Sequence, residues 1–130
     1  MPPKFVDHYT RDDLRANPEY LYVFGDNFAR RGRGGQAAEC RDEPNAVGIL
    51  TKKYPSWSPS AYLSDKDIET WIAKNADDIA RIEAHLRAGG VVVFPSSGIG
   101  TGRAELPKRA PTLYKYICLW IERLEAQYGN

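Results

Sequence analysis

The sequence predicts an α/β fold, with a mixed or parallel sheet covered by helices. Three observations carry that expectation. Short apolar runs read as buried strands: Tyr20–Phe24 (YLYVF), Ala46–Leu50 (AVGIL) and Val91–Phe94 (VVVF). Helically periodic segments alternate with those runs, as they do where helices cross over between strands of one sheet. Two of the runs lead directly into glycine-rich loops, "GDNFARRGRGG" (25–35) and "PSSGIGTG" (95–102).

Each element has a local cause. Lys4–Val6 reads as a short strand. Thr10, with Asp13 three residues on, makes a capping-box start for a short helix that stops near Asn17-Pro18. After the Tyr20–Phe24 strand and its loop, residues 35–41 supply one or two helical turns. The Ala46–Leu50 strand is followed by the proline- and serine-rich "TKKYPSWSPSAY". Ser64 and Asp67 cap a long helix with Ile68, Ile72, Ala76, Ile79, Ile82 and Leu86 at helical spacing, and Gly89-Gly90 stops it. Val91–Phe94 is bounded by Pro95. Pro111 opens a last helix whose apolar face carries Leu113, Tyr116, Ile117, Trp120, Ile121 and Leu124.

The chain of 130 residues is long enough for one domain, residues 1–130, with a core of its own. Its net charge of +1 argues against the overall basicity that drives nonspecific nucleic-acid binding, although Arg30, Arg31 and Arg33 cluster locally. No apolar run approaches the roughly 18 residues that span a bilayer, and the first residues lack the apolar core of a signal peptide. A cytoplasmic protein with no membrane partner is expected. Cys40 and Cys118 show neither metal-ligand spacing nor a CxxC pair, so reduced thiols, no metal and no cofactor are expected. His8 and His85 have no serine or cysteine partner at a telling spacing, and no triad is assigned.

The glycine loops carry the chemistry. Glycines let backbone N–H groups approach a ligand, and successive amides form a nest for an anion. A helix beginning just after the first loop would add its N-terminal dipole. Sheets of this kind bind ligands at the carboxyl ends of their strands, where both loops emerge. Together they would clamp a diphosphate; the alternative is a pair of surface turns whose glycines adopt positive φ. Neither loop is a Walker loop, and GxGxG at 98–102 differs from the dinucleotide fingerprint GxGxxG. The aromatic and basic residues Lys52, Lys53, Tyr54, Trp57 and Tyr62 would stack on nucleic-acid bases, stack on one nucleotide, or cover the core.

In their order these segments resemble the macro domain, an ADP-ribose-binding α/β fold. The likeness is closest to the branch of bacterial DNA-ADP-ribosylation antitoxins and ADP-ribosylglutamate hydrolases. "YVFGDNFARRGRGGQA" is similar to that branch's strand, asparagine turn and glycine-lysine-glycine loop. "GILTKK" is similar to its Pro-Thr-Lys strand end, "YLSDKDIETWI" to its next helix start, and "VVVFPSSGIGTGRAEL" to its second glycine loop. The resemblance covers about residues 20 to 125 and implies a mixed sheet with helices on both faces, in three layers.

It also implies roles. Asp26 or Asn27 would lie at the distal ribose, with Asp26 a catalytic candidate. Gly32, Gly34 and Gly35 would let backbone approach ribose and diphosphate, and Ser97, Gly98, Ile99, Gly100, Thr101 and Gly102 would grip the diphosphate. Gln36, Thr51, Lys52, Ser96 and Arg103 complete the candidate binding set. Arg33 stands where the hydrolases have a nucleophilic lysine, and Glu105 where they have an aspartate. Arginine stays protonated, which closes a lysyl route but leaves Arg33 able to stabilise negative charge. Glu105 would serve as general base on a water. Asp13 is a weaker candidate near the adenine, and reads better as a helix cap. The expectation is binding of ADP-ribose or a related nucleotide, free or on a macromolecule, with hydrolysis of an ADP-ribosyl or phosphoester bond as the associated chemistry. The alternatives are a noncatalytic reader or sequestering protein and a small RNA-binding protein using the arginine loop.

Overall fold

The computed structural model describes residues 1–129. Four strands, β1 (Lys4–Val6), β2 (Leu21–Asn27), β3 (Ala46–Lys52) and β4 (Val92–Pro95), form one sheet in the order β1-β4-β2-β3. Every pairing is parallel. The sheet is therefore parallel rather than mixed. The reason lies in the connections, since helices α1 (Arg11–Ala16), α2 (Ala37–Cys40) and α3 (Ile68–Arg87) each return the chain to the same end of the sheet. Antiparallel contact among the described residues is confined to an isolated Lys52–Tyr62 bridge.

Side chains of β2 alternate between two cores, as the period of a strand requires. Leu21 and Val23 join the larger core with Val47, Ile49 and Phe94, under α3 and α5 (Pro111–Tyr128). Tyr22 and Phe24 face the smaller core with Tyr9, Leu14, Ala37 and Cys40, under α1 and α2. Helices thus cover both faces. The short α4 (Leu106–Arg109) leads into α5. No helix is long and apolar enough to cross a membrane among the described residues.

The long helix departs from its apolar periodicity. Ile82 and Leu86 are buried, and Ile68 and Ile79 pack partly against the core, but Ile72 is 44% exposed and Ala76 faces out. Trp71 and Asn75 occupy the inward face instead. They satisfy the backbone of β3, an edge strand with one side unpaired. Asn75 Oδ1 accepts from Leu50 N at 2.8 Å and its Nδ2 donates to Gly48 O at 3.1 Å. Trp71 Nε1 donates to Leu50 O at 2.7 Å, and Arg81 donates to the carbonyls of Ala46 and Pro44. The helix supplies the hydrogen bonds a fifth strand would have made. In α5, Leu113, Ile117, Trp120 and Leu124 are buried as periodicity predicts, whereas Tyr116 stays half exposed, edge-on to Trp71.

Candidate functional site

Three strands end on one cavity of about 520 Å³. Its walls come from the loop after β2, the loop after β4, and Pro55, Ser56 and Trp57 after β3. The volume falls within the roughly 300–1,000 Å³ typical of small-molecule sites. Glycine is required by conformation at Gly32 (φ 97°) in the first loop and at Gly98 (φ 96°) and Gly100 (φ 76°) in the second. Gly100 is also fixed by space, because a Cβ there would lie 2.3 Å from the buried Leu106 Cδ1. The amides of Gly34 and Gly35, and those of Ile99, Gly100, Thr101 and Gly102, find no acceptor among the described residues. Each loop thus carries unpaired backbone donors on residues that line the same cavity.

Of the residues expected from sequence, Asp26, Asn27, Gly32, Gly34, Gly35, Gln36, Thr51, Lys52, Ser97, Gly98, Ile99, Gly100, Thr101, Gly102 and Arg103 line this cavity. Several of their side chains are occupied within the protein. Asn27 Nδ2 donates to Arg31 O at 2.7 Å, closing the turn of the first loop. Gln36 pairs with the backbone of Tyr9 through both ends of its amide, Nε2 to Tyr9 O at 2.6 Å and Tyr9 N to Oε1 at 3.2 Å. Thr51 Oγ1 donates to Asp26 O, and Thr101 Oγ1 to Ser97 O. What these residues offer a ligand is chiefly backbone.

Three expected residues stand elsewhere. Ser96 Oγ bonds the carboxylate of Asp7. Arg33 is exposed and paired with Asp42. Glu105 adopts a left-handed conformation (φ 50°) and is bound by Arg109 Nε at 2.8 Å. That hydrogen bond, followed by the charges of Arg109, Lys108 and Lys52, holds its carboxyl below the usual carboxylate range. None of the three lines the cavity.

Arg41 is the residue the sequence reading missed. Its guanidinium grips Asp26 bidentately, Nη2 to Oδ1 at 2.7 Å and Nη1 to Oδ2 at 3.0 Å. Nε donates to Gly32 O at 3.0 Å, tying the first glycine loop to the same clamp. The pair is buried, with side-chain exposures of 11% for Arg41 and 3% for Asp26. A carboxylate inside the apolar strand β2 was the available signal, since buried charges require a partner; it did not say which cation.

At the rim, Lys52 Nζ lies 5.6 Å and Arg103 Cζ 5.7 Å from the centre of the Trp57 ring. Burial, then the like charges of Arg103 and Arg109, pull Lys52 below its ordinary value. No group of three or more metal-ligating side chains is assembled among the described residues.

Over residues 4–120 the sequence matches DUF7831, a family of unknown function. The chain belongs to that family. No curated protein and no solved structure matches it. The DUF7831 span contains both glycine loops, Arg41 and every residue that lines the cavity.

Proposed function

We propose that this DUF7831 protein binds ADP-ribose or a related nucleotide, free or attached to a macromolecule, between its two glycine loops in the manner of a macro domain. One observation carries the reading. Two loops with unpaired amides and glycine-only conformations meet at the carboxyl ends of parallel strands and enclose a single cavity. A diphosphate is the group such paired amide nests suit, with Thr51, Pro55 and Trp57 left to contact sugar or base.

Binding without hydrolysis is the form we favour. Asp26 spends both carboxylate oxygens on Arg41, and Glu105 is paired with Arg109 outside the cavity. A general base needs hydrogen-bond reach to the water it activates.

Gly102 gives the test. It lines the cavity, and a Cβ there meets nothing within 4 Å, so Gly102→Glu fits without a clash while adding a negative charge to the second loop. Calorimetry should show saturable ADP-ribose binding by the wild type and at least tenfold weaker binding by Gly102→Glu. Absence of binding to the wild type, or equal affinity in both proteins, overturns the proposal.

A further inference from the structure

We infer that Lys52 and Arg103, seated over Trp57 at the rim, form a second phosphate subsite, so that the preferred ligand is a nucleotide bearing a phosphomonoester beyond its diphosphate. The inference rests on the nucleotide reading and sharpens it to a ligand class.

Charge carries the argument. Four cations and one carboxylate line the cavity: Arg31, Arg41, Lys52 and Arg103, against Asp26. Arg41 neutralises Asp26 in the buried pair. Arg31, Lys52 and Arg103 have no carboxylate partner among the described residues, whereas nearby Arg30, Arg33 and Arg109 are all paired. Three cationic residues without an ion-pair partner therefore line one cavity in a chain whose net charge is only +1, with the Lys52 ammonium held by Ser56 O and 4.6 Å from the centre of the Tyr62 ring. A diphosphate diester brings about two negative charges at neutral pH, and a phosphomonoester adds about 1.5 to 2 more. ADP-ribose alone leaves the site positive.

Geometry places the surplus at the rim. Trp57 is 71% exposed, and both Lys52 and Arg103 sit over its ring. Arg103 also reaches the first loop, its Nη1 lying 3.0 Å from where a Cβ of Gly34 would be. Burial first, and then the like charges of Arg103 and Arg109, lower Lys52; an anion beside the ammonium offsets the like-charge part. Bound there, a phosphomonoester accepts hydrogen bonds from an ammonium and a guanidinium while the diphosphate occupies the loop amides.

Matched ligand pairs test this. Affinities of ADP-ribose and ADP-ribose 2′-phosphate, and of ADP and adenosine 3′-phosphate 5′-diphosphate, are measured by calorimetry on the wild type, Lys52→Gln and Arg103→Gln. The phosphorylated member of at least one pair should bind about tenfold more tightly or better. That ratio should shrink several-fold in each variant. If neither extra phosphate improves binding to the wild type while ADP-ribose still binds, the subsite is wrong and the nucleotide reading stands. A ratio unchanged in both variants also overturns it. Failure of all four ligands to bind removes both readings.

Discussion

Replacing Arg41 by alanine asks whether Asp26 is a structural carboxylate or a free one. The guanidinium makes two hydrogen bonds to Asp26, a third to Gly32 O, and lies 5.5 Å from the centre of the Phe24 ring. With Asp26 only 3% exposed at its side chain, the variant leaves a nearly buried carboxylate without its cation at the carboxyl end of β2. Breaking a buried pair from one side costs about 3–5 kcal/mol. That is a large share of the roughly 5–15 kcal/mol that holds a domain folded. The melting temperature should fall by about 10–20 °C, and urea unfolding followed by circular dichroism should show the same loss at unchanged slope. Arg41→Lys keeps the charge but not the bidentate fork, and should fall between. Combining Arg41→Met with Asp26→Asn removes both charges and should cost less than the two single changes added together. A loss below about 1 kcal/mol in Arg41→Ala would refute the clamp and return Asp26 to the catalytic candidates.

Three further expectations follow from the same contacts. Asn75→Ala leaves Leu50 N–H and Gly48 C=O without partners at the buried edge of β3, and urea titration should show a loss of about 2–5 kcal/mol. Gly100→Ala combines positive φ with a collision against Leu106 and should cost about 2–5 kcal/mol in thermal melts, while Gly102→Ala changes stability by less than about 0.5 kcal/mol. Burial pushes the Cys40 thiol from its ordinary 9.0 up to about 12. The unfolded chain then loses that proton at lower pH than the folded one, so stability falls as pH rises from about 9 toward 12. Urea unfolding at pH 8 and pH 10.5 should show this fall, and Cys40→Ala should flatten it. Tyr9, raised in the same direction by burial, keeps a residual slope.

The readable part of this molecule was local or periodic. Both capping boxes form where the sequence put them, at Thr10–Asp13 and Ser64–Asp67, although the second opens on a 3₁₀ turn before α3 begins. β2 runs three residues past the apolar stretch, through Gly25, Asp26 and Asn27, because β3 continues beside it to Lys52. Pairing across the sheet, and not side-chain polarity, decides where that strand ends. The inward face of α3 was misread at Ile72 and Ala76 for a similar reason. An edge strand needed donors and an acceptor, and Trp71 and Asn75 carry them. The convergence of the two loops was legible from their place after buried strands, since parallel strands deliver their ends to one rim. Two of the ion pairs were not. Arg41 with Asp26 and Arg33 with Asp42 are chosen by loop path, which no spacing rule encodes, whereas Glu105 with Arg109 has the i,i+4 spacing of a helical ion pair and was open to reading.

Those pairings bear directly on the chemistry. A hydrolytic site keeps at least one acidic group free to meet water near the scissile bond. Here the carboxylate that reaches the cavity is neutralised by an arginine that also anchors the loop it would act beside. The other is held outside, its basicity lowered by Arg109. The free charges are all positive and lie on the walls, where they suit anionic groups that stay intact. Recruiting Asp26 as a base would break its pairing with the guanidinium that also holds Gly32 O, disturbing the loop against which the proposed ligand would lie. Ligand grip and acid–base catalysis therefore compete for the same residues, and the arrangement of Asp26, Arg41 and Gly32 favours grip.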